Sequence, residues 1–119
     1  MDQLTNEIIA KLDQILDDVI NEVPHVKHAM NFSGEDPTLK FKYYNTLITI
    51  TSKTYDSGRK KFSIILDELA NLFHETYVFS DLDGIDSLTS KFDNVNDVVD
   101  QRYIERKKVD FLETLNKLS

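Results

Sequence analysis

The chain has 119 residues, 40% of them hydrophobic and 29% charged, which suits one compact globular domain over residues 1–119. Its formal net charge of −7 disfavours broad, nonspecific binding of nucleic acid, because polyanion affinity comes from clustered Lys and Arg. The lack of cysteine excludes disulfides, thiolate nucleophiles and cysteine-ligated metal; no apolar run nears the roughly 20 residues of a membrane span, and Met1-Asp2-Gln3 is not a basic leader start, so an intracellular chain with no membrane partner is expected.

Leu4, Ile8, Leu12, Ile15, Val19 and Val23 recur at helical spacing, with Ile9, Leu16 and Ile20 widening the stripe. A first helix over about residues 3–22 is predicted, stopped by Pro24. The segment from there to Pro37, with Asn31, Ser33, Gly34, Glu35 and Asp36, reads as a long loop holding a short strand around residues 26–32. Leu39, Phe41 and Tyr43, then Ile48 and Ile50 between Thr49 and Thr51, alternate as a strand does. Asn45-Thr46 lacks glycine, so a continuous or bulged strand is favoured there over a tight turn. Asp56-Ser57-Gly58 breaks the strand, and Phe62, Ile65, Leu66, Leu69, Leu72 and Phe73 mark the buried face of a second helix, about residues 58–74. A short strand is expected near residues 76–79. The last twenty residues fit two patterns: Phe111, Leu112, Leu115 and Leu118 suit a helix, whereas Tyr103, Val109 and Phe111 share one face of a strand over residues 99–111, the reading preferred.

No catalytic constellation emerges: there is no glycine-rich phosphate loop, no serine between elbow glycines and no carboxylate pair held close by spacing, so enzyme activity, a cofactor and a metal are not expected. His25 and His28 are spaced as two metal ligands could be, with His74 or Asp36 to complete the set, but solvated loop histidines are the commoner outcome. Asp81, Asp83 and Asp86 do not fit a calcium loop, since Gly84 and Phe92 fall at the wrong positions. Arg59, Lys60 and Lys61 would stand in the first turn of the second helix, where the macrodipole disfavours cations by a few tenths of a kcal/mol each. An anionic partner would repay that, although a solvated basic turn is the plainer account. Arg102, Arg106, Lys107 and Lys108 form the densest basic cluster, and Arg102, Arg106 and Lys108 would share a strand face that cannot be core. In so acidic a chain, self-association through complementary patches is the sharper reading of that cluster.

The order of these segments resembles the tail terminator and neck proteins of tailed bacteriophages. The resemblance rests on the turn Thr51-Ser52-Lys53-Thr54-Tyr55-Asp56-Ser57-Gly58 entering the helix of Phe62 to His74, the Leu82-Asp83-Gly84-Ile85 step, and Tyr103, Arg106, Val109 and Phe111 in a closing strand. It implies an α+β fold, a mostly antiparallel β-sheet with an N-terminal helix and a central amphipathic helix packed on one face. It further implies a structural virion protein, assembled in the host cytoplasm and located in the tail or neck. Such a homo-oligomeric ring, commonly a hexamer, caps the tail tube, forms the surface that meets the head connector and touches DNA only as it passes through the lumen. His25, His28, Glu35 and Asp36 in the extended loop and Arg59, Lys60 and Lys61 in the basic turn would then be assembly contacts, with Arg102, Arg106 and Lys108 facing a neighbour or the lumen. The alternative is a small acidic protein-binding module, of the inhibitor or immunity type, acting one-to-one.

Overall fold

A computed structural model describes residues 3–32, 36–55, 60–68, 73–79 and 85–118, the side chains of residues 60 and 73 excepted. The fold is α+β. Helix α1 (Gln3–Ile20) precedes strands β1 (Val26–Phe32), β2 (Thr38–Tyr43), β3 (Thr46–Thr54), β4 (Lys60–Glu68) and β5 (Phe73–Phe79), and helix α2 (Asp86–Lys117) closes the chain. The strands form one antiparallel meander in sequence order, with β1 and β5 at its edges. Alternation sets its two faces: Leu39 and Phe41, Ile48 and Ile50, Phe62 and Ile64, and Phe79 are buried. The two helices cover that face, α1 with Leu12, Leu16 and Val19 and α2 with Leu88, Phe92, Val95 and Val99. Phe62 meets Phe92 edge-on at 5.2 Å between ring centres and lies 6.0 Å from Phe79, so one aromatic cluster joins α2 to the sheet.

The N-terminal helix forms as its stripe dictates, but it ends before Pro24 is reached. Glu22 adopts a left-handed φ of 52°, its N–H bonds to the Val19 carbonyl at 3.3 Å, and the Val23 N–H bonds to the Asp18 carbonyl at 3.3 Å. Those two bonds are a Schellman stop, which satisfies carbonyls that a helix end would otherwise leave bare. Pro24 then lies outside the helix, where it is commonly found.

Three expectations are corrected. The described part of the expected 58–74 helix, residues 60–68 and 73–74, belongs to β4 and β5. Phe62, Ile64 and Leu66 repeat every second residue toward the helices, and Ile64-Ile65 is β-branched, so the strand period prevails over an equally legible helical one. The helix that packs beside α1 is instead α2, and it absorbs the strand expected at 99–111. Finally, β2 and β3 are joined by a two-residue hairpin at Tyr44-Asn45, with Tyr43 paired to Thr46. Tyr44 supplies a positive φ of 54° in this turn, a conformation that tight hairpins usually give to glycine or asparagine.

Edge strand β1 also carries a bulge. Its register jumps from Lys27 opposite Lys42 to Met30 opposite Lys40, which sets His28 and Ala29 against Phe41, with His28 at φ 57°. A bulge of this kind bends an edge strand and spoils it as a template for further pairing.

Candidate interaction surface

At the C-terminal end of α1, Asp18 gathers partners from three segments. The Tyr43 hydroxyl donates to its Oδ2 at 2.6 Å, His25 Nε2 lies 3.2 Å from the same oxygen, and Gln14 Nε2 donates to Oδ1 at 3.3 Å. His25 stacks on Tyr44 at 4.3 Å and meets Tyr43 edge-on at 4.8 Å. His25, expected at an assembly contact, is thus turned inward to tie the β2–β3 hairpin to α1. The hydrogen bond from Tyr43 is the chief reason the Asp18 carboxyl sits below its ordinary 3.8. The same bond, with burial, pushes the Tyr43 phenol from 10.0 up to about 12.

The signs set a pH window. A carboxyl lowered on folding stabilises above its unfolded value, and that contribution fades as pH falls through the folded value; a phenol raised on folding contributes below its unfolded value and loses it as pH rises through the folded one. The bond therefore contributes fully between about pH 4 and pH 10. Tyr43→Phe should cost about 2 kcal/mol at pH 7, as expected for a hydrogen bond to a charged group. Urea titrations should find that cost shrinking as pH drops from 4 towards 2; a constant cost would mean that the charge on Asp18 contributes nothing.

Arg102 and Lys91 bind the two helices together. The Arg102 guanidinium donates to the Val19 carbonyl at 3.2 Å and to the Ile20 carbonyl, with Nε 3.4 Å from Glu22 Oε1. Arg102 was expected on an assembly face, whereas it caps the end of α1, where a cation also suits the helix dipole. Lys91 Nζ reaches Asp13 at 2.9 Å and Asp17 at 2.6 Å, and the bond to Asp17 is the main reason its ammonium is held above 10.5. His28, Arg102 and Arg106 come together, with Glu22 and Tyr103, around a 240 Å³ cleft where α2 leaves the body.

Beyond that cleft α2 runs on. Every residue from 103 to 118 is exposed, and at 1.5 Å per residue this length is about 24 Å. It is not polar all round. Ile104, Phe111, Leu115 and Leu118 recur at multiples of three and four, with Lys108 between them; Phe111 is 66% exposed and Leu118 79%. At 100° per residue this stripe points about 140° away from the stripe of Leu88, Phe92, Val95 and Val99 that packs on the body. The second stripe cannot be core for the domain that carries it.

Charge is segregated as well. Residues 3–22 hold Glu7, Asp13, Asp17, Asp18 and Glu22 against Lys11, a net −4. Residues 102–118 hold Arg102, Arg106, Lys107, Lys108 and Lys117 against Glu105, Asp110 and Glu113, a net +2. On the sheet face turned away from the helices stand Lys27, Lys40, Lys42, Lys53 and Lys61, with Lys27 directly opposite Lys42 and Lys53 opposite Lys61. Like charges set opposite each other in a sheet are destabilising, so these lysine pairs do not add to the stability of the sheet. Of this set only Lys61 was singled out from sequence. The signal is in Leu39-Lys40-Phe41-Lys42-Tyr43, where Lys40 falls between two buried positions and Lys42 between a buried and a half-buried one.

Among the other expected contacts, Lys108 lies within the exposed stripe of α2, and Lys60 and Lys61 open β4 instead of a helix. Asp36 directs its carbonyl to the Thr38 hydroxyl at 3.1 Å. Glu35 and Arg59 lie outside the described residues, as do Asp81 and Asp83. Among the described residues no three His, Asp or Glu side chains converge to hold a metal ion, and no helix is long and apolar enough to cross a membrane.

These features define a class: an antiparallel β-meander backed by two helices, the second of which projects an amphipathic tail. Compared with protein-family models, curated proteins and solved structures, the chain matches none.

Proposed function

We propose that this protein is a noncatalytic assembly component that associates with further protein through the projecting part of α2, first of all with copies of itself. One observation carries the reading: α2 outruns the core and bears a second apolar stripe on the side facing away from it. An isolated helical extension of this length is marginal in water, and an apolar stripe along it adds an exposure that a partner would remove. Residues 104–118 are net +1 on a chain of net −7, which favours attraction between the tail of one copy and the acidic surface of the next.

The resemblance to phage tail terminators makes this more specific, as a ring at the tail end that meets the head connector. Of the segments behind that resemblance, the described residues 62–68 and 73–74 are strand rather than helix, and 99–111 are helix rather than strand. Self-association is the part of the neck role that has support from the geometry, and ring formation is its testable extension. A one-to-one acidic binder is the second reading, favoured by the net −4 of residues 3–22.

Light scattering behind size exclusion separates the readings. The wild type should show a mass that is a multiple of 13.8 kDa and rises with concentration. Phe111→Ser with Leu115→Ser should return it to the monomer while leaving the far-ultraviolet circular dichroism nearly unchanged. A wild type that stays monomeric at every concentration would favour the one-to-one binder.

A further inference from the structure

The helical layer does not cover the sheet completely. Between α1 and the β4–β5 side lies an open groove of about 970 Å³, lined by Leu4, Ile8 and Ile15 from α1 and by Ile64, Leu66 and Tyr77 from the sheet. Leu4 is 72% exposed and Tyr77 40%. The groove is predominantly apolar, with Glu7, Lys11 and Glu75 as its charged members.

We propose that this groove receives the projecting tail of α2, residues 104–118, from a second copy of the chain. This rests on the assembly reading above and names its contact. Length, charge and geometry each support it. The α1 wall from Leu4 to Ile15 extends about 16 Å, and the stripe from Ile104 to Leu118 about 21 Å, so one helix lies along the other with little left over. Residues 104–118 are net +1 and the charged members of the groove, Glu7, Lys11 and Glu75, are net −1, so the pairing brings opposite charges together, whereas two tails laid against each other would bring together like ones.

The tail cannot fill its own groove. Lys91 of α2 is bonded to Asp13 and Asp17, and Arg102 to the carbonyls of Val19 and Ile20. α2 therefore advances along α1 in the same direction and leaves the body past the C-terminal end of α1. The groove begins at Leu4, at the opposite end, and α2 is continuous to Lys117. A tail-into-groove contact joins two different surfaces: repeated from copy to copy it generates a closed ring or an open filament, and made reciprocally between two copies it gives a two-fold dimer.

Mixing two variants tests this. Phe111→Ser/Leu115→Ser destroys the tail and keeps the groove; Leu4→Lys/Tyr77→Lys destroys the groove and keeps the tail, with lysines that also repel it. Each variant alone should be monomeric, with a dissociation constant raised roughly 30-fold or more, as for loss of a central interface anchor. An equimolar mixture should form a 1:1 complex, because each variant supplies what the other lacks. If the groove variant associates like the wild type while the tail variant does not, the assembly reading stands and the groove assignment falls. A mixture that stays monomeric also overturns the groove assignment. If both variants associate like the wild type, or the wild type does not associate, both readings fall. Should the double groove variant melt early, Leu4→Lys alone, at a mostly exposed position, gives the same comparison.

Discussion

Phe92→Ala is expected to lose about 4 kcal/mol of folding stability. Phe92 is fully buried, and its ring meets Phe62 edge-on at the point where α2 joins the sheet. Removing it takes away the transfer free energy of a large side chain and the ring contact with Phe62, and leaves a cavity in the core. Urea titration at low protein concentration, where association contributes nothing, measures the loss directly. A cost below about 1.5 kcal/mol would mean that α2 is docked far more loosely than its buried stripe implies.

Arg102→Ala should follow, at about 2–3 kcal/mol. Its guanidinium holds two carbonyls at the end of α1 from 82 and 83 positions away in sequence, and its loss leaves acceptors exposed just where the helix dipole is negative. Arg102→Lys should recover only part of the deficit, because one ammonium does not reproduce two diverging N–H groups on a planar fork. The measurement is thermal or urea unfolding of both variants beside Arg106→Ala, which lines the cleft at a more exposed position and should change stability by less than about 0.5 kcal/mol. Equal effects at 102 and 106 would show that the capping geometry has no energetic consequence.

The parts of the fold legible in sequence were those with a single period. The α1 stripe from Leu4 to Val19 admits one reading, and so does the alternation of Leu39, Phe41 and Tyr43. Residues 60–68 admit two, because Phe62, Leu66 and Leu69 suit a helix as well as Phe62, Ile64 and Leu66 suit a strand. What decides is the ladder on either side, Ile50 to Ile64 to Tyr77 and Ile48 to Leu66 to Glu75, and that is a long-range fact no local pattern contains. α2 was obscured for a different reason. Its apolar face moves round the helix near Arg102, from the body stripe ending at Val99 to the outward stripe beginning at Ile104, so no single helical face runs its length.

The candidate surface was legible in the same uneven way. Clustered cations at 102–108 drew notice, yet Arg102 serves as a cap, and the outward stripe of Phe111, Leu115 and Leu118 stood out as helical without its direction being known. The lysine face was missed because it is assembled from four strands, with one or two lysines on each. The two histidines are placed by tertiary structure: His25 faces Asp18 and the hairpin tyrosines, and His28 occupies the bulge of β1. Neither arrangement follows from the spacing of two histidines.

On the proposed assembly, the projecting part of α2, residues 104–117, is bare in the lone chain and covered when copies meet. Amide hydrogen exchange across a range of protein concentrations tests it most directly, since an unpacked terminal helix frays and exchanges quickly while a docked one is protected. Protection in residues 107–118, and with it in the stretch of α1 from residue 4 to residue 15, should rise as concentration rises. Fast exchange of the tail that is the same at every concentration would show that no partner copy covers it.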